Sequence, residues 1–211
     1  MMFANRIEAG RLLAERLTAY RGKENGLILA IPRGGIPLAC EISRKLGLPV
    51  DVLVIKKIGV PGNEELAAGA TGIDEFILNE AVVSGYGVSE AYIQEQVEKK
   101  RGEIRERYRL LRGDRPLYSV ENRTVILVDD GIATGSTMAM AIRMLQKQAP
   151  GEVVLAVPVA PPDTVRRLEK IADHIVCLDQ PRHFMAIGQF YEDFTQVRDE
   201  EAKEMLDEVK V

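Results

Sequence analysis

The chain is poor in cysteine. Of its 211 residues only Cys40 and Cys177 are cysteines, far apart and in no CxxC pair, so neither a disulfide framework nor a zinc site is indicated. Each lies in an apolar stretch and reads as a small buried hydrophobe, as expected of a cytoplasmic protein with free thiols. Long hydrophobic runs are missing too. The longest, residues 153–160, is interrupted by Pro158 and falls far short of the roughly 20 residues a membrane-spanning helix needs. The opening Met-Met-Phe-Ala-Asn-Arg has no apolar core of a secretion signal. Positive charge is not in excess. A net charge of −4 argues against nucleic-acid binding through a global basic field and leaves room only for a local basic pocket. With 46% hydrophobic and 28% charged residues the composition excludes disorder as the global state. The length supports one good core rather than two, hence a single domain over residues 1–211.

Apolar periodicity then organises the chain. Ile7, Leu13, Ala14, Leu17 and Tyr20 recur at helical spacing. The run Leu27-Ile-Leu-Ala-Ile31 predicts a strand. It stops at Pro32-Arg33-Gly34-Gly35, and a helix with Leu38, Ala39, Ile42 and Leu46 inward follows, then a strand over residues 50–55. The unit repeats: a strand over 124–128, a loop over 129–136, a helix carrying Met138, Ala141, Ile142 and Leu145, and a strand over 153–157. A helix over 162–172 and a strand over 174–178 complete the series. Continuous apolar strands of this kind are covered on both faces. The prediction is an α/β fold, a Rossmann-like, mostly parallel sheet flanked by helices, with ligands at the carboxyl ends of its strands. The middle differs. Residues 59–87 are rich in glycine and proline and contain a predicted hairpin around 67–71 and 76–78. Residues 89–112 form a long charged helix with a narrow apolar seam. This block, about 59–115, reads as an insertion. An aromatic segment over 180–196 and a short acidic helix over 199–211 close the chain.

The most informative stretch is Val125-Ile-Leu-Val-Asp-Asp-Gly-Ile-Ala-Thr-Gly-Ser-Thr137. A buried strand delivers Asp129 and Asp130 to its end, where adjacent carboxylates need solvent, hydroxyl donors or a cation. Gly131, Ala133 and Gly135 permit close backbone approach, Thr134, Ser136 and Thr137 supply hydroxyls, and the following helix supplies free amides. Together these make a phosphate cradle. A ribose 5-phosphate, with vicinal hydroxyls near a phosphate, suits both halves.

This segment resembles the binding motif for 5-phosphoribosyl 1-pyrophosphate (PRPP) of the type I phosphoribosyltransferases, in a bacterial and archaeal branch of that family. The upstream Pro32-Arg33-Gly34-Gly35 turn agrees, and the resemblance covers nearly the whole chain. It implies that Asp129 and Asp130 bind the ribose hydroxyls and that residues 133–137 hold the 5′-phosphate. It implies that Arg33, Gly34 and Gly35 bind pyrophosphate. Lys56 and Lys57 are the candidates to reach that pyrophosphate from the end of the second strand, Lys57 being preferred. It further implies a small hood from residues of about 1–20 and 180–196, a mobile loop at 59–64, and a homodimer. Mg²⁺ would be held mainly by PRPP, with Asp129 and Asp130 reached through water and no direct protein ligand. The implied reaction is transfer of ribose 5-phosphate from PRPP to an acceptor, most simply a nitrogenous base, with Asp129, Asp130 and Arg33 as the catalytic set. Some purine-specific members carry an acid where this chain has Ala133, so no general base comes from this loop. Phe184 and Tyr191 either stack on the acceptor or form the hood's own core. Arg101, Arg105, Arg107, Arg109 and Arg112 either cap the pyrophosphate or line a solvated helix face. The rival reading is a non-catalytic sensor of PRPP or nucleotides, which the absence of a helix-turn-helix disfavours.

Overall fold

The computed structural model describes residues 1–113 and 115–209. Along the chain run α1 (Arg6–Arg16), β1 (Gly26–Ala30), α2 (Gly35–Leu46), β2 (Val50–Val52), β3 (Lys56–Val60), β4 (Asn63–Thr71), β5 (Phe76–Leu78), α3 (Glu80–Tyr86) and α4 (Glu90–Arg112). Then come β6 (Thr124–Val128), α5 (Ser136–Gln146), β7 (Glu152–Val159), α6 (Pro162–Leu168), β8 (His174–Asp179) and α7 (Asp199–Glu208). The expected tail helix is present through Glu208; its predicted last residues, 210 and 211, and residue 114 of the insertion lie outside the described residues. Among the described residues no helix is long and apolar enough to cross a membrane.

Five strands form a parallel sheet in the order β2-β1-β6-β7-β8. Alternate residues of each central strand feed two separate cores. Ile28, Ala30, Ile126, Val128, Val154 and Ala156 pack with α1, α2, the second half of α4 and α7. Leu27, Leu29, Val125, Leu127, Val153, Leu155 and Val157 pack with α5 and α6. Both faces are therefore dry, which is why these strands read as unbroken apolar runs. Cys40 is buried, Cys177 half-buried, and both thiols are free. Burial pushes them up to about 12 and about 11, as befits structural rather than reactive cysteines.

The chain runs from β1 outward to β2, then returns across β1 to β6. That reversal makes the β1/β6 boundary the topological switch point, where the loops leaving two adjacent parallel strands diverge and open a crevice. Ala30 pairs with Val128, and Ile31 donates its amide to the Val128 carbonyl at 2.8 Å. The Pro32–Gly35 turn and the Asp129–Thr137 loop thus leave the sheet side by side.

Three sequence expectations need correction. The second strand ends at Val52, not at residue 55, and Lys56 already opens β3 of a separate antiparallel sheet, β3-β4-β5. The apolar run 50–55 crosses that break because Val52 and Val54 still face the main core. The predicted hairpin is real but has this third strand, and its small core of Ile58, Val60, Ala68, Ile93 and Val97 is closed by α4. Residues 59–64 form the tight end of the β3–β4 hairpin. Finally, α1 is a covering helix of the sheet, not a hood element. It packs so closely on α2 that a Cβ on Gly10 would stand 2.7 Å from the Leu38 Cα. Of the segments expected to form a hood, residues 1–5 and 180–196 are joined where Phe3 donates to the Phe190 carbonyl at 2.8 Å and Glu192 donates to the Phe3 carbonyl at 2.8 Å.

Candidate active site

Beyond Val128 the two acidic side chains diverge. Asp129, half-buried, lines a cleft of about 260 Å³ together with Ile31, Ala133, Thr134, Gly135 and Thr137. Asp130 is buried under the Pro32–Gly35 turn and the hood. Arg6, the first residue of α1, donates from Nε to Asp130 Oδ2 at 2.8 Å and from Nη1 to the Thr195 carbonyl at 2.8 Å, its guanidinium carbon 3.9 Å from the centroid of the Phe194 ring. Tyr191 donates its hydroxyl to the Asp130 carbonyl at 2.7 Å, and burial raises that phenol so that it remains a donor. Burial also holds the Asp129 carboxyl well above the ordinary range, with the Asp130 charge adding to the effect. Asp130 is raised by burial too, and Arg6 opposes the shift. Asp130 has Arg6 as its counter-charge, while Asp129 accepts the Asp130 amide at Oδ1 (2.9 Å) and is the member of the pair that lines the cleft.

The loop that follows supplies donors. Gly135 adopts the left-handed conformation (φ +72°) that turns the chain into α5. No side chain caps the α5 amino terminus. Among the described residues the amides of Ala133, Thr134, Gly135, Ser136 and Thr137 donate to no protein acceptor. A helix amino terminus with free amides beside hydroxyls is an anion site. On the loop's other side a larger groove of about 850 Å³ carries Arg143, Arg167 and Lys170.

The Pro32–Arg33 peptide bond is cis. The glycines after it are required by contact with β6 and the loop leaving it: a Cβ on Gly34 would overlap Asp130 Oδ2, and one on Gly35 would lie 2.5 Å from the Val128 carbonyl oxygen. The second neighbour is strand backbone and cannot yield. Gly35→Ala is therefore expected to destabilise the fold by about 1–3 kcal/mol, as overpacking does, measured by denaturant unfolding. Gly34→Ala directs its clash at the Asp130 side chain, so it should lower ligand affinity more than stability; equal losses in both would contradict this. Arg33 stands with Nη1 3.3 Å from Asp199 Oδ1, an oxygen that Arg107 of α4 also contacts.

The sequence model of the phosphoribosyl transferase domain matches residues 4–195. The chain belongs to the phosphoribosyl transferase family. Two provisionally named phosphoribosyl transferases of Mycobacterium tuberculosis (strains CDC 1551 and H37Rv) are 42% identical over 207 residues. These cover 98% of this chain but 46% of theirs, so the chain spans less than half the length of these curated relatives. The crystal structure of TT1426 from Thermus thermophilus matches over the whole of both chains, with a TM-score of 0.88 at 39% identity. A hypoxanthine-guanine phosphoribosyltransferase from Bacillus anthracis shares the fold at a TM-score of 0.50 and 13% identity, over 84% of this chain and 79% of its own.

Within this phosphoribosyl transferase fold the structure gathers Arg33, Gly34, Gly35, Asp129, Asp130 and the 131–137 loop around the switch point. It does not bring Lys57 to them. The Lys57 ammonium donates to the Glu65 carbonyl and carboxylate, at 3.2 and 3.1 Å, across the hairpin, and Lys56 pairs with Glu103 at 3.1 Å. The reason is the early end of β2, which puts both lysines in the second sheet. Tyr191 is not an exposed stacking ring either: it is 5% exposed, its ring 5.4 Å from Phe3 and 5.0 Å from Phe194. Phe184 is half-buried at 5.3 Å from Phe190. These aromatics are the hood's own core, and what they present to the site is the Tyr191 hydroxyl. Of the five helix arginines, Arg107 shares the Asp199 carboxylate with Arg33, while Arg112 is buried against Asp51. Sequence reasoning missed Arg6 altogether. A lone arginine opening a helix carries no signal; its importance comes from a contact 124 positions away in the chain.

Proposed function

We infer that this chain transfers the 5-phosphoribosyl group of PRPP to a nitrogenous acceptor and releases pyrophosphate. The observation that carries the reading is the cleft at the β1/β6 switch point, where Asp129 and a loop of unclaimed amides line one space. Asp129 accepts the ribose hydroxyls. The amides and hydroxyls of Thr134, Ser136 and Thr137 hold the 5′-phosphate. The Arg33–Gly35 turn, one strand away, takes the pyrophosphate. Bond cleavage builds positive charge on the ribose, as in glycoside chemistry, and the Asp129 carboxylate is the group that stabilises it.

Among the described residues no group of three or more His, Cys, Asp or Glu side chains could hold a metal. The donor set instead fits Mg²⁺ carried on substrate oxygens and waters, with Asp129 as its outer partner. When bound, the ion neutralises charge on the departing pyrophosphate. With alanine at position 133, no carboxylate from this loop removes a proton from the acceptor, so the acceptor's own basicity or a hood group serves.

Titration calorimetry with PRPP, with and without Mg²⁺, tests the donor half, and pyrophosphate release across a panel of purines, pyrimidines and amines tests the transfer. Mg²⁺-dependent binding with release upon addition of one acceptor is expected. Binding with no turnover on any acceptor would move the chain to the sensing class, and no binding at all would overturn the reading.

A further inference from the structure

The phosphate loop is braced from behind by α6. Thr164, 3% exposed, donates its hydroxyl to the Ala133 carbonyl at 2.9 Å. Arg167, nearly one turn further on, donates from Nη2 to the Thr134 carbonyl at 2.9 Å and to Thr164 Oγ1 at 3.0 Å. A hydroxyl has one proton to give and lone pairs to receive. Thr164 uses both, so the relay from Arg167 through Thr164 to Ala133 has one direction. Contact is tight as well: a Cβ on Gly135 would stand 2.7 Å from Thr164 Cγ2.

Peptide planarity gives the brace its consequence. In a trans peptide the carbonyl and the next residue's N–H point in opposite directions. Holding the Ala133 carbonyl against α6 therefore turns the Thr134 amide away from α6, and holding the Thr134 carbonyl does the same for the Gly135 amide. These are two of the amides with no protein acceptor, and both residues line the cleft. Were either peptide unit to flip, a carbonyl lone pair would replace a donor in front of an anion.

We propose that Thr164 and Arg167 are positioning residues for phosphate binding, which fix two consecutive peptide units so that the Thr134 and Gly135 amides face the ligand before it arrives. The inference rests on the reading of this loop as a 5′-phosphate site. Neither residue is a catalytic residue; both act through the loop backbone. Their benefit is preorganisation, since a loop already ordered loses less entropy on binding.

The experiment measures calorimetric affinity for ribose 5-phosphate, and separately for inorganic pyrophosphate, in the wild type, Thr164→Val, Thr164→Ser and Arg167→Met. Thr164→Val keeps the buried shape and removes the hydroxyl. It should weaken ribose 5-phosphate by about tenfold, the scale of one lost hydrogen bond, and leave pyrophosphate unchanged. Thr164→Ser should restore the affinity. Arg167→Met, at an exposed position, should show the same selective loss and serves if Thr164→Val does not fold. Unchanged ribose 5-phosphate affinity in Thr164→Val and Arg167→Met, or equal weakening of both ligands, would overturn the brace while leaving the functional reading intact. A wild type that does not bind ribose 5-phosphate would overturn that reading, and the brace with it.

Discussion

Asp129→Asn should lose about a hundredfold in PRPP affinity while gaining stability near neutral pH. Hydrogen bonds to a charged group contribute about 1.5–3 kcal/mol, and Asp129 is the acidic side chain of the pair that lines the cleft. Its amide replacement keeps the size and forfeits the charge. The stability gain follows from the raised carboxyl. In the unfolded chain an aspartate titrates near about 3.9. A folded-state value above that favours folding fully at pH below the unfolded value, and the advantage is lost as pH rises through the folded value. The unliganded wild type should therefore weaken as pH climbs from about 4 toward neutral, and Asp129→Asn should lack most of that slope. Calorimetry with PRPP and melting curves across pH check both halves. A variant that binds PRPP like the wild type would remove Asp129 from the site; an unchanged pH slope would remove the buried charge as its cause.

Asp51→Ala should cost about 3–5 kcal/mol of stability, the range for breaking a buried ion pair from one side. Asp51 on β2 and Arg112 at the end of α4 are both buried and pair through Arg112 Nε. Arg112 also donates to the Arg115 and Pro116 carbonyls, and Tyr108, one turn earlier, accepts the Val54 amide at 3.2 Å. This junction ties the long inserted helix to the sheet edge. With Asp51 gone, the guanidinium keeps its burial and loses its counter-charge. Replacing both partners, Asp51→Leu with Arg112→Met, removes the stranded charge and should recover most of the loss. Denaturant unfolding reads the difference; a loss below about 1 kcal/mol for Asp51→Ala would place this pair with solvated ones. PRPP affinity should be unchanged in the double variant, because Arg112 serves the fold and not the pyrophosphate site.

Arg112 and Arg107 do different work in the fold. Both belong to one arginine-rich helix whose sequence offers no way to rank them. Their roles separate because α4 bridges two cores: Ile93 and Val97 seat it on the antiparallel sheet, and Ile104, Tyr108 and Leu111 on the main core. That placement sends Arg112 to Asp51 and Arg107 to the Asp199 carboxylate shared with Arg33. The lysines show the same limit. A strand ending at residue 55 would leave Lys57 at the cleft rim, whereas the chain leaves the sheet after Val52 and folds Lys57 back on Glu65.

The parallel sheet, the two loops at its switch point and the donor chemistry of the 129–137 segment are legible in the amino-acid pattern. These depend on local pattern: apolar runs buried on both faces, glycines where backbones touch, acids and hydroxyls at consecutive positions. Tertiary structure alone decided that Asp129 opens to the cleft while Asp130 is sealed by Arg6 and Tyr191. It alone placed Thr164 and Arg167 behind the phosphate loop. The division has a physical cause. Backbone pattern is set by neighbours a few residues away. The environment of a charge or a carbonyl is set by whichever distant segment the packed core brings against it, and no periodicity records that meeting.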